Sequence, residues 1–268
     1  GSFSVALRVI DDDGASSIDV ANVQIQNLPP TVAATLPSIT IDEGEIASNF
    51  GTFSDPGNDS VTLATSIGTI VDEGDGTWSW TFNTTDGPDQ SQTIVITATD
   101  DDNAVSTTTF SLVVSNTAPI VATSSLSVTV IEGQTVMNDG LFGDLGDDPL
   151  VLTVSIGEIV DNGDGTWAWT LESTIGVDSQ TVVVTTTDGD LAVATTTFEL
   201  IVENAPPTVS ATNSSVTVPE GSTAINSGVY GDLGAGSVAL AASVGTIVDN
   251  GDGTWNWTFH TTDGPDHS

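Results

Sequence analysis

The phrase DNGDGTWAWT (Asp161–Thr170) decides the fold, because the chain contains it three times with few changes. The other copies are DEGDGTWSWT (Asp72–Thr81), 89 residues earlier, and DNGDGTWNWT (Asp249–Thr258), 88 residues later. Asn-Gly and Asp-Gly pairs are typical of tight hairpin turns. A regular spacing of this length indicates tandem domains of about 89 residues.

The tryptophans after each turn alternate with small hydroxyl residues. Residues two apart in a strand share a face, so Trp78 and Trp80 point one way, and Thr77 and Ser79 point the other way. Exposed, such a pair would stack on sugar rings; buried, it would fill the space between two sheets. The small residues on the other face and the recurrence in every repeat favour a core position.

Other short words recur in the same order. Each repeat has a Pro-containing junction, a Glu-Gly pair, an Asp twelve residues after that Glu, and an Asp-x-Asp turn. These words predict four segments. Residues 1–28 form the last two strands of a sandwich repeat, 29–117 and 118–205 form complete repeats, and 206–268 form a repeat that lacks its last two strands.

Seven short segments rich in β-branched residues lie between turn signals in each complete repeat. In the first one they are Val32–Ile41, Glu45–Ser54, Val61–Ser66, Thr69–Asp72, Thr77–Phe82, Thr93–Thr99 and Thr107–Val114. Seven strands in about 90 residues are typical of an immunoglobulin-like β-sandwich. We therefore predict an all-β protein of tandem seven-stranded immunoglobulin-like β-sandwiches in an elongated array.

The incomplete segments at the two ends complement each other. Two interpretations are open. The chain is one period of a longer array of repeats, or copies of it join head to tail, with residues 1–28 of one copy completing residues 207–268 of the next by strand addition. Both predict a filament whose partners are adjoining repeats or further copies of the same chain.

The composition excludes several classes of function. The chain has 37 acidic residues and a single basic one, Arg8, for a net charge of −36, and it has no cysteine. Nucleic acids and anionic membranes should repel it, disulfides are excluded, and no apolar run is long enough for membrane insertion. No Ser/His/Asp constellation recurs, so we predict that the protein is not an enzyme.

The acidic residues concentrate at the turns that face the junctions between repeats. Alternating strand directions should bring Glu43, Asp86 and Asp89 towards the Asp-rich turns of the following repeat. Clustered carboxylates without basic neighbours favour Ca²⁺, which takes six to eight oxygen ligands. Asp, Asn and Gly are also ordinary turn residues, and Mg²⁺ or sodium would soften the same charge. The predicted metal ligands are Asp11, Asp13, Glu43, Asp55, Asp100, Asp102, Asn116, Glu132, Asp144, Asp188, Asp190, Asn204, Glu220 and Asp232.

The runs TATDDDNAVSTTTFSLVVSNTAP (97–119) and IDEGEIASNFGTFSDPG (41–57) resemble the tandem PKD-like and cadherin-like sandwich repeats of very large bacterial surface proteins. This resemblance implies an extracellular location at the cell surface, a role as filament, stalk or adhesin extender, and calcium between domains. We therefore expect a structural protein. The alternative is a calcium-dependent adhesin module that binds a surface glycan or another surface protein.

Overall fold

The computed structural model describes residues 1–57, 59–172, 174–234 and 236–262, and every regular element among them is a β-strand. The chain forms two compact units. The first comprises Gly1–Ala118 with the loops Asp144–Pro149 and Asp188–Ala192; the second comprises Pro119–Gly143, Leu150–Thr187 and Val193–Ser268. None of the described residues belongs to a helix long and apolar enough to cross a membrane.

The first unit holds a hairpin followed by a complete sandwich. Its strands are β1 (Ser2–Ile10), β2 (Ser16–Gln24), β3 (Thr31–Ala34), β4 (Ser38–Asp42), β5 (Ile46–Ser54), β6 (Val61–Thr65), β7 (Thr69–Asp72), β8 (Thr77–Asn83), β9 (Gln92–Asp100) and β10 (Val105–Ser115). The hairpin β1–β2 is antiparallel, and all of its residues are exposed. The sandwich has one sheet in the order β3-β5-β8-β7 and another in the order β4-β10-β9-β6.

The prediction of one strand over Val32–Ile41 was wrong. The segment forms two strands in opposite sheets, β3 paired with β5 and β4 paired in parallel with β10. Pro37 stands between them. Since proline has no N–H to donate to a ladder, the strand breaks there and crosses between the sheets. The sandwich therefore contains eight strand segments.

The core of this sandwich lies between its two sheets, as the tryptophan pattern predicts. Trp78 and Trp80 are 1% and 0% exposed and pack with Ile94, Ile96 and Phe110. The Trp80 ring meets the Phe110 ring edge-on, with centroids 5.0 Å apart. The core position of the tryptophans is confirmed.

The second unit holds a sandwich of the same design. Its strands are β11 (Ile120–Thr123), β12 (Ser127–Ile131), β13 (Val136–Gly143), β14 (Val151–Val154), β15 (Glu158–Asp161), β16 (Thr166–Leu171), β17 (Gln180–Thr187) and β18 (Val193–Glu203). They form sheets in the orders β11-β13-β16-β15 and β12-β18-β17-β14. Trp167 and Trp169 are fully buried, and Trp169 meets Phe198 edge-on at 4.9 Å.

The third repeat contributes one further four-stranded sheet to the second unit. Its strands are β19 (Thr208–Ala211), β20 (Thr223–Gly231), β21 (Thr246–Asp249) and β22 (Thr254–His260), in the order β19-β20-β22-β21. This sheet corresponds to the tryptophan-bearing sheet of each complete sandwich. The described residues contain no opposing sheet for it.

Candidate functional site

The repeated hairpin turn uses its own acids to shape the backbone. Gly163 and Gly165 both have a positive φ, which only glycine adopts without strain. Asp161 Oδ1 accepts a hydrogen bond from the Gly163 N–H at 2.7 Å, and Asp164 accepts hydrogen bonds from the backbone and hydroxyl of Thr166. These hydrogen bonds lower the pKa of Asp164 below its usual value. The local geometry thus accounts for the acids of this turn.

A first cluster of carboxylates forms at one end of the first sandwich. One carboxylate oxygen from each of Asp55, Asp59 and Asp100 lies within 4.8 Å of the other two. Asp55 Oδ1 accepts from the Gly57 N–H, whereas its Oδ2 is buried without a hydrogen-bond partner. Burial, followed by the neighbouring acids, raises the pKa of Asp59. The sequence prediction included Asp55 and Asp100 and missed Asp59.

Asp100 also ties the incoming chain to this cluster. Its Oδ2 accepts a hydrogen bond from Asn27 Nδ2 at 2.8 Å, and its Oδ1 accepts one from the Ala104 N–H at 2.8 Å. The Asn27 hydrogen bond is the main cause that holds the pKa of Asp100 below its usual value. Asp100 therefore stays ionised next to Asp55 and Asp59.

A second cluster forms between the loop after β8 and two loops of the following repeat, Asp144–Pro149 and Asp188–Ala192, which belong to the first unit. One carboxylate oxygen from each of Asp86, Asp148 and Asp190 lies within 4.8 Å of the others. Asp148 Oδ2 is buried and has no hydrogen-bond partner. Burial, followed by repulsion from Asp190, Asp86, Glu43 and Asp188, raises the pKa of Asp148 to about 6. Burial and repulsion from Asp86 and Asp89 raise the pKa of Asp190 as well.

Glu43 lies near this second cluster and is fully buried. Its Oε1 accepts a hydrogen bond from the Thr117 N–H at 2.7 Å, and its Oε2 accepts one from the Gly87 N–H at 2.9 Å. The backbone of Gly146 packs directly against its carboxylate. Glu43 thus ties its own turn to the backbone segments of Thr117 and Gly87, and it is one of the acids that raise the pKa of Asp148.

Asn116 and Asp188 form the same side-chain hydrogen bond as Asn27 and Asp100, one repeat later. Asn116 Nδ2 donates to Asp188 Oδ2 at 3.1 Å, and Asp188 Oδ1 accepts from the Ala192 N–H at 2.8 Å. Nearby, Asp144 Oδ1 accepts from the Leu145 N–H, and burial raises the pKa of Asp144. The Asn116 Oδ1 and Asp144 Oδ2 atoms are buried without hydrogen-bond partners.

The corresponding residues where the second repeat meets the third, all within the second unit, do not form such a cluster among the described residues. Glu132 Oε1 again accepts a backbone hydrogen bond, from the Ala205 N–H at 3.1 Å. Asp232 Oδ1 accepts from the Leu233 N–H, and the Leu233 and Ile175 side chains lie against Gly133. Among the described residues, the only two groups of three acids that could hold an ion are the clusters in the first unit.

The remaining predicted ligands are not members of either cluster. Asp11 Oδ1 accepts from the Ala15 N–H in the exposed hairpin turn, and Asn204 Nδ2 donates to the Ala205 carbonyl. Asp13, Asp102 and Glu220 are exposed. Three members of the clusters, Asp59, Asp86 and Asp148, are not among the predicted ligands. Asp59 and Asp148 occupy the same position in consecutive repeats, each four residues after a predicted Asp. That repetition was the available signal.

The two clusters fit a hard divalent cation chemically. Each offers three carboxylates that have no basic side chain among their hydrogen-bond partners in the described part of the chain, and each contains a buried carboxylate oxygen without a hydrogen-bond partner, on Asp55 in one and Asp148 in the other. Carboxylate and carbonyl oxygens are the ligands that Ca²⁺ prefers, with Mg²⁺ more demanding in geometry. A cation would offset the repulsion that raises the pKa of Asp148.

Solved structures with a similar architecture share little sequence with this chain. The titin domains Z1Z2 in complex with telethonin are 20% identical, with 67% of this chain and 98% of that chain covered and a TM-score of 0.41. A titin I-band fragment is 11% identical, with 88% and 90% covered and a TM-score of 0.40. The endo-fucoidan hydrolase MfFcnA4 is 14% identical, with 75% of this chain and 34% of that chain covered and a TM-score of 0.36.

These likenesses concern architecture alone and carry no argument about function. No family model matches the sequence, and no curated protein matches it. The strand orders and the core establish that the chain consists of tandem immunoglobulin-like β-sandwich repeats.

Proposed function

We propose that this chain is a structural segment of an extracellular filament or stalk at a cell surface, in which Ca²⁺ locks the loops where consecutive repeats meet. The observation that carries the proposal is the set of loop contacts inside the first unit. The Asp147 N–H donates to the Thr85 carbonyl at 2.7 Å. The loops approach so closely that a Cβ atom, if one were added at Gly44, would lie 2.7 Å from the Leu145 carbonyl oxygen. Loops this close need their like charges neutralised.

Calcium at the Asp86–Asp148–Asp190 cluster is part of this proposal. Two like charges about 4 Å apart repel by about 4 kcal/mol at the effective dielectric of a protein surface. A bound divalent ion reverses the sign of that interaction and holds the loops together. We also propose that the repeats are PKD-like and cadherin-like. This rests on the acidic cluster between repeats and on the motifs that resemble those families.

The burial of the tryptophans favours a structural role over a glycan-binding one. Four of them, Trp78, Trp80, Trp167 and Trp169, are at most 1% exposed, so their rings offer no platform for a sugar. No specific observation favours the adhesin alternative. The extracellular location is proposed from the composition, since a chain with no lysine and a single arginine offers trypsin-like proteases a single cleavage site.

The experiment is thermal unfolding of the 268-residue chain by calorimetry, with excess Ca²⁺, with Mg²⁺ and with EGTA, all at one ionic strength. A ligand at a hundred times its dissociation constant stabilises the folded state by about 2.7 kcal/mol. We expect Ca²⁺ to raise the melting temperature more than Mg²⁺ does. The double variant Asp148→Asn with Asp190→Asn should lose most of that rise.

The matched control is Asp178→Asn, which removes one charge from an exposed loop outside both clusters. It should keep the full response to Ca²⁺. Equal melting temperatures of the unmodified chain in Ca²⁺ and in EGTA would contradict the proposal that Ca²⁺ stabilises the loops. A response that the double variant retains in full would place the ion elsewhere.

A further inference from the structure

The sheet of the third repeat leaves an apolar face uncovered among the described residues. Trp80 and Trp169 are fully buried in the complete sandwiches, whereas Trp257, at the same position, is only half-buried and Phe259 is exposed. A groove of about 610 Å³ runs along this face, lined by Val216, Val238, Leu240, Ile247, Trp255 and Trp257 among others. A large apolar groove on a sheet face indicates a binding surface.

Two segments beside this groove lack the strand structure that their sequence predicts. Residues 215–219 and 238–242 align with β4 and β6 of the first sandwich, yet neither forms a strand here. In the first sandwich β4 pairs with β10, and β6 pairs with β9. The two segments are therefore the edges of a sheet whose two central strands are not supplied by the described residues.

The hairpin β1–β2 has the length, register and apolar pattern of those two central strands. It aligns with β9–β10 at an offset of 89 residues, and the pairing of Phe3 with Val23 reproduces the pairing of Gln92 with Leu112. Seven positions of β9 and β10 are buried in the first sandwich; the one acidic position, Asp100, corresponds to Asp11, and the other six are apolar in the hairpin. They are Val5, Leu7, Val9, Ala21, Val23 and Ile25.

These hairpin side chains have nothing to pack against in the described molecule. Leu7 is 70% exposed, whereas Ile96 at the aligned position is 0% exposed. An isolated two-stranded hairpin is marginally stable in water, and an exposed apolar strand pair is a template for association. The hairpin and the groove are therefore complementary surfaces on one chain.

We propose that the β1–β2 hairpin of one molecule inserts into the groove of the third repeat of a second copy, as the two missing strands of that sandwich. This inference rests on the proposed filament function and specifies how its segments join. In the register of the first sandwich, Arg8 stands opposite Ala241 on one edge, and Val23 stands opposite Val216 on the other. Repeating the contact from copy to copy generates a head-to-tail chain.

A polar tie supports the same register independently of the apolar pattern. Asn27 and Asn116 each donate to an aspartate at the turn between the two central strands, Asp100 and Asp188. Asn204, the third residue of this series, donates instead to the Ala205 carbonyl. The hairpin carries Asp11 at the position of Asp100. Insertion therefore brings Asp11 of one copy to Asn204 of the next.

At one inward hairpin position an aromatic residue of both complete sandwiches is replaced by a small one, which offers a test of register. Phe110 and Phe198 stand edge-on to the inner tryptophan, whereas the hairpin has Ala21 at that position. In the inserted state Ala21 faces Trp257. Ala21→Phe should tighten the association about two- to tenfold, since an edge-to-face aromatic pair adds a modest favourable contact. Unchanged or weaker association would overturn this register.

The association itself is measured by sedimentation velocity of the full chain over a wide concentration range, at a salt concentration that screens its net charge. We expect oligomers that grow with concentration. Leu7→Asp places a charge on the inserted face and should weaken association at least about tenfold. Val20→Asp makes the same change on the opposite face of the hairpin, where Thr109 stands in the first sandwich, and should leave association intact. Both residues are exposed in the free chain, so neither change threatens its folding.

A cross-link distinguishes insertion from other contacts. The chain has no cysteine, so Arg8→Cys in one molecule and Ala241→Cys in another place the only two kinds of thiol in the mixture. Facing antiparallel residues have Cβ atoms about 4.5–5.5 Å apart, close to the span of a disulfide. Mild oxidation should give the mixed dimer. Ala242→Cys with Arg8→Cys places the thiols on opposite faces and should not.

A chain that stays monomeric at every concentration, or that associates equally well with Leu7→Asp, would overturn the proposal; a following repeat of a longer chain or a different partner would then cover the groove. The sedimentation runs are repeated in EGTA. Hairpin insertion together with equal melting temperatures in Ca²⁺ and in EGTA would support the joint and contradict the calcium proposal. A Ca²⁺ response of the melting temperature in a strictly monomeric chain would show the reverse.

Discussion

The glycine in the middle of β13 is the position where one added methyl group should damage the sandwich most. Gly140 pairs with Thr123 on one side and Trp167 on the other. A Cβ at this position would lie 2.0 Å from the Ala122 carbonyl oxygen and 2.5 Å from Cζ2 of Trp167, which is fully buried. Neither neighbour can turn aside, since one is backbone and the other a packed ring.

We expect Gly140→Ala to cost about 3–5 kcal/mol of unfolding free energy. Overpacking of a core costs about 1–3 kcal/mol. Moving the Ala122 backbone by more than about 1 Å also strains the pairing of β11 with β13, and each lost hydrogen bond costs about 1 kcal/mol. For a domain of this size the melting temperature should fall by at least about 12 °C.

Calorimetry measures the fall, and hydrogen exchange of β11 and β13 localises it. Gly143→Ala is the control on the same strand, because a Cβ there meets no atom within 4 Å. It should change stability by no more than about 0.5 kcal/mol. If both variants melt within about 2 °C of the unmodified chain, the tryptophan ring does not pack on the glycine as described.

Three further predictions concern buried polar groups. Asp148→Asn should melt higher than the unmodified chain at pH 7.5 without Ca²⁺. The pKa of Asp148 in the folded state, about 6, exceeds its value in the unfolded state. Protonation of this carboxyl therefore stabilises the fold increasingly as the pH falls from 7 to 4. Thermal melts should show that the difference in melting temperature between Asp148→Asn and the unmodified chain closes by pH 5. Glu43→Gln should cost about 2–3 kcal/mol in urea unfolding, because one of two charged hydrogen bonds to backbone N–H groups is lost; an unchanged midpoint would contradict this. Trp169→Phe should cost about 1–3 kcal/mol more than Trp167→Phe in the same assay. Only Trp169 donates its Nε1–H, to the Ile156 carbonyl at 2.7 Å, and equal losses would refute that reasoning.

The candidate sites could be predicted only in part. Asp55 and Asp100 were chosen from repeated turn words, and they do meet, because the turns after β5 and β9 lie at the same end of the sandwich. Asp148 was not predicted, although an Asp stands at the same position of the preceding repeat, Asp59, and this repetition could have indicated both. Glu43 is a predicted ligand, and in the structure each of its two oxygens accepts a backbone hydrogen bond. A sequence does not show which acceptor a backbone N–H will reach.

The sequence by itself determined the repeat, the all-β class, most of the strand positions and the inward face of the tryptophans. These follow from period-two alternation and from turn residues, which are local properties of the chain. The tertiary structure alone decided that the first strand divides at Pro37 between two sheets, that Gly140 makes room for Trp167, and that Asp148 joins Asp86 and Asp190. Those contacts join residues far apart in the chain, and their distances depend on how the sheets pack.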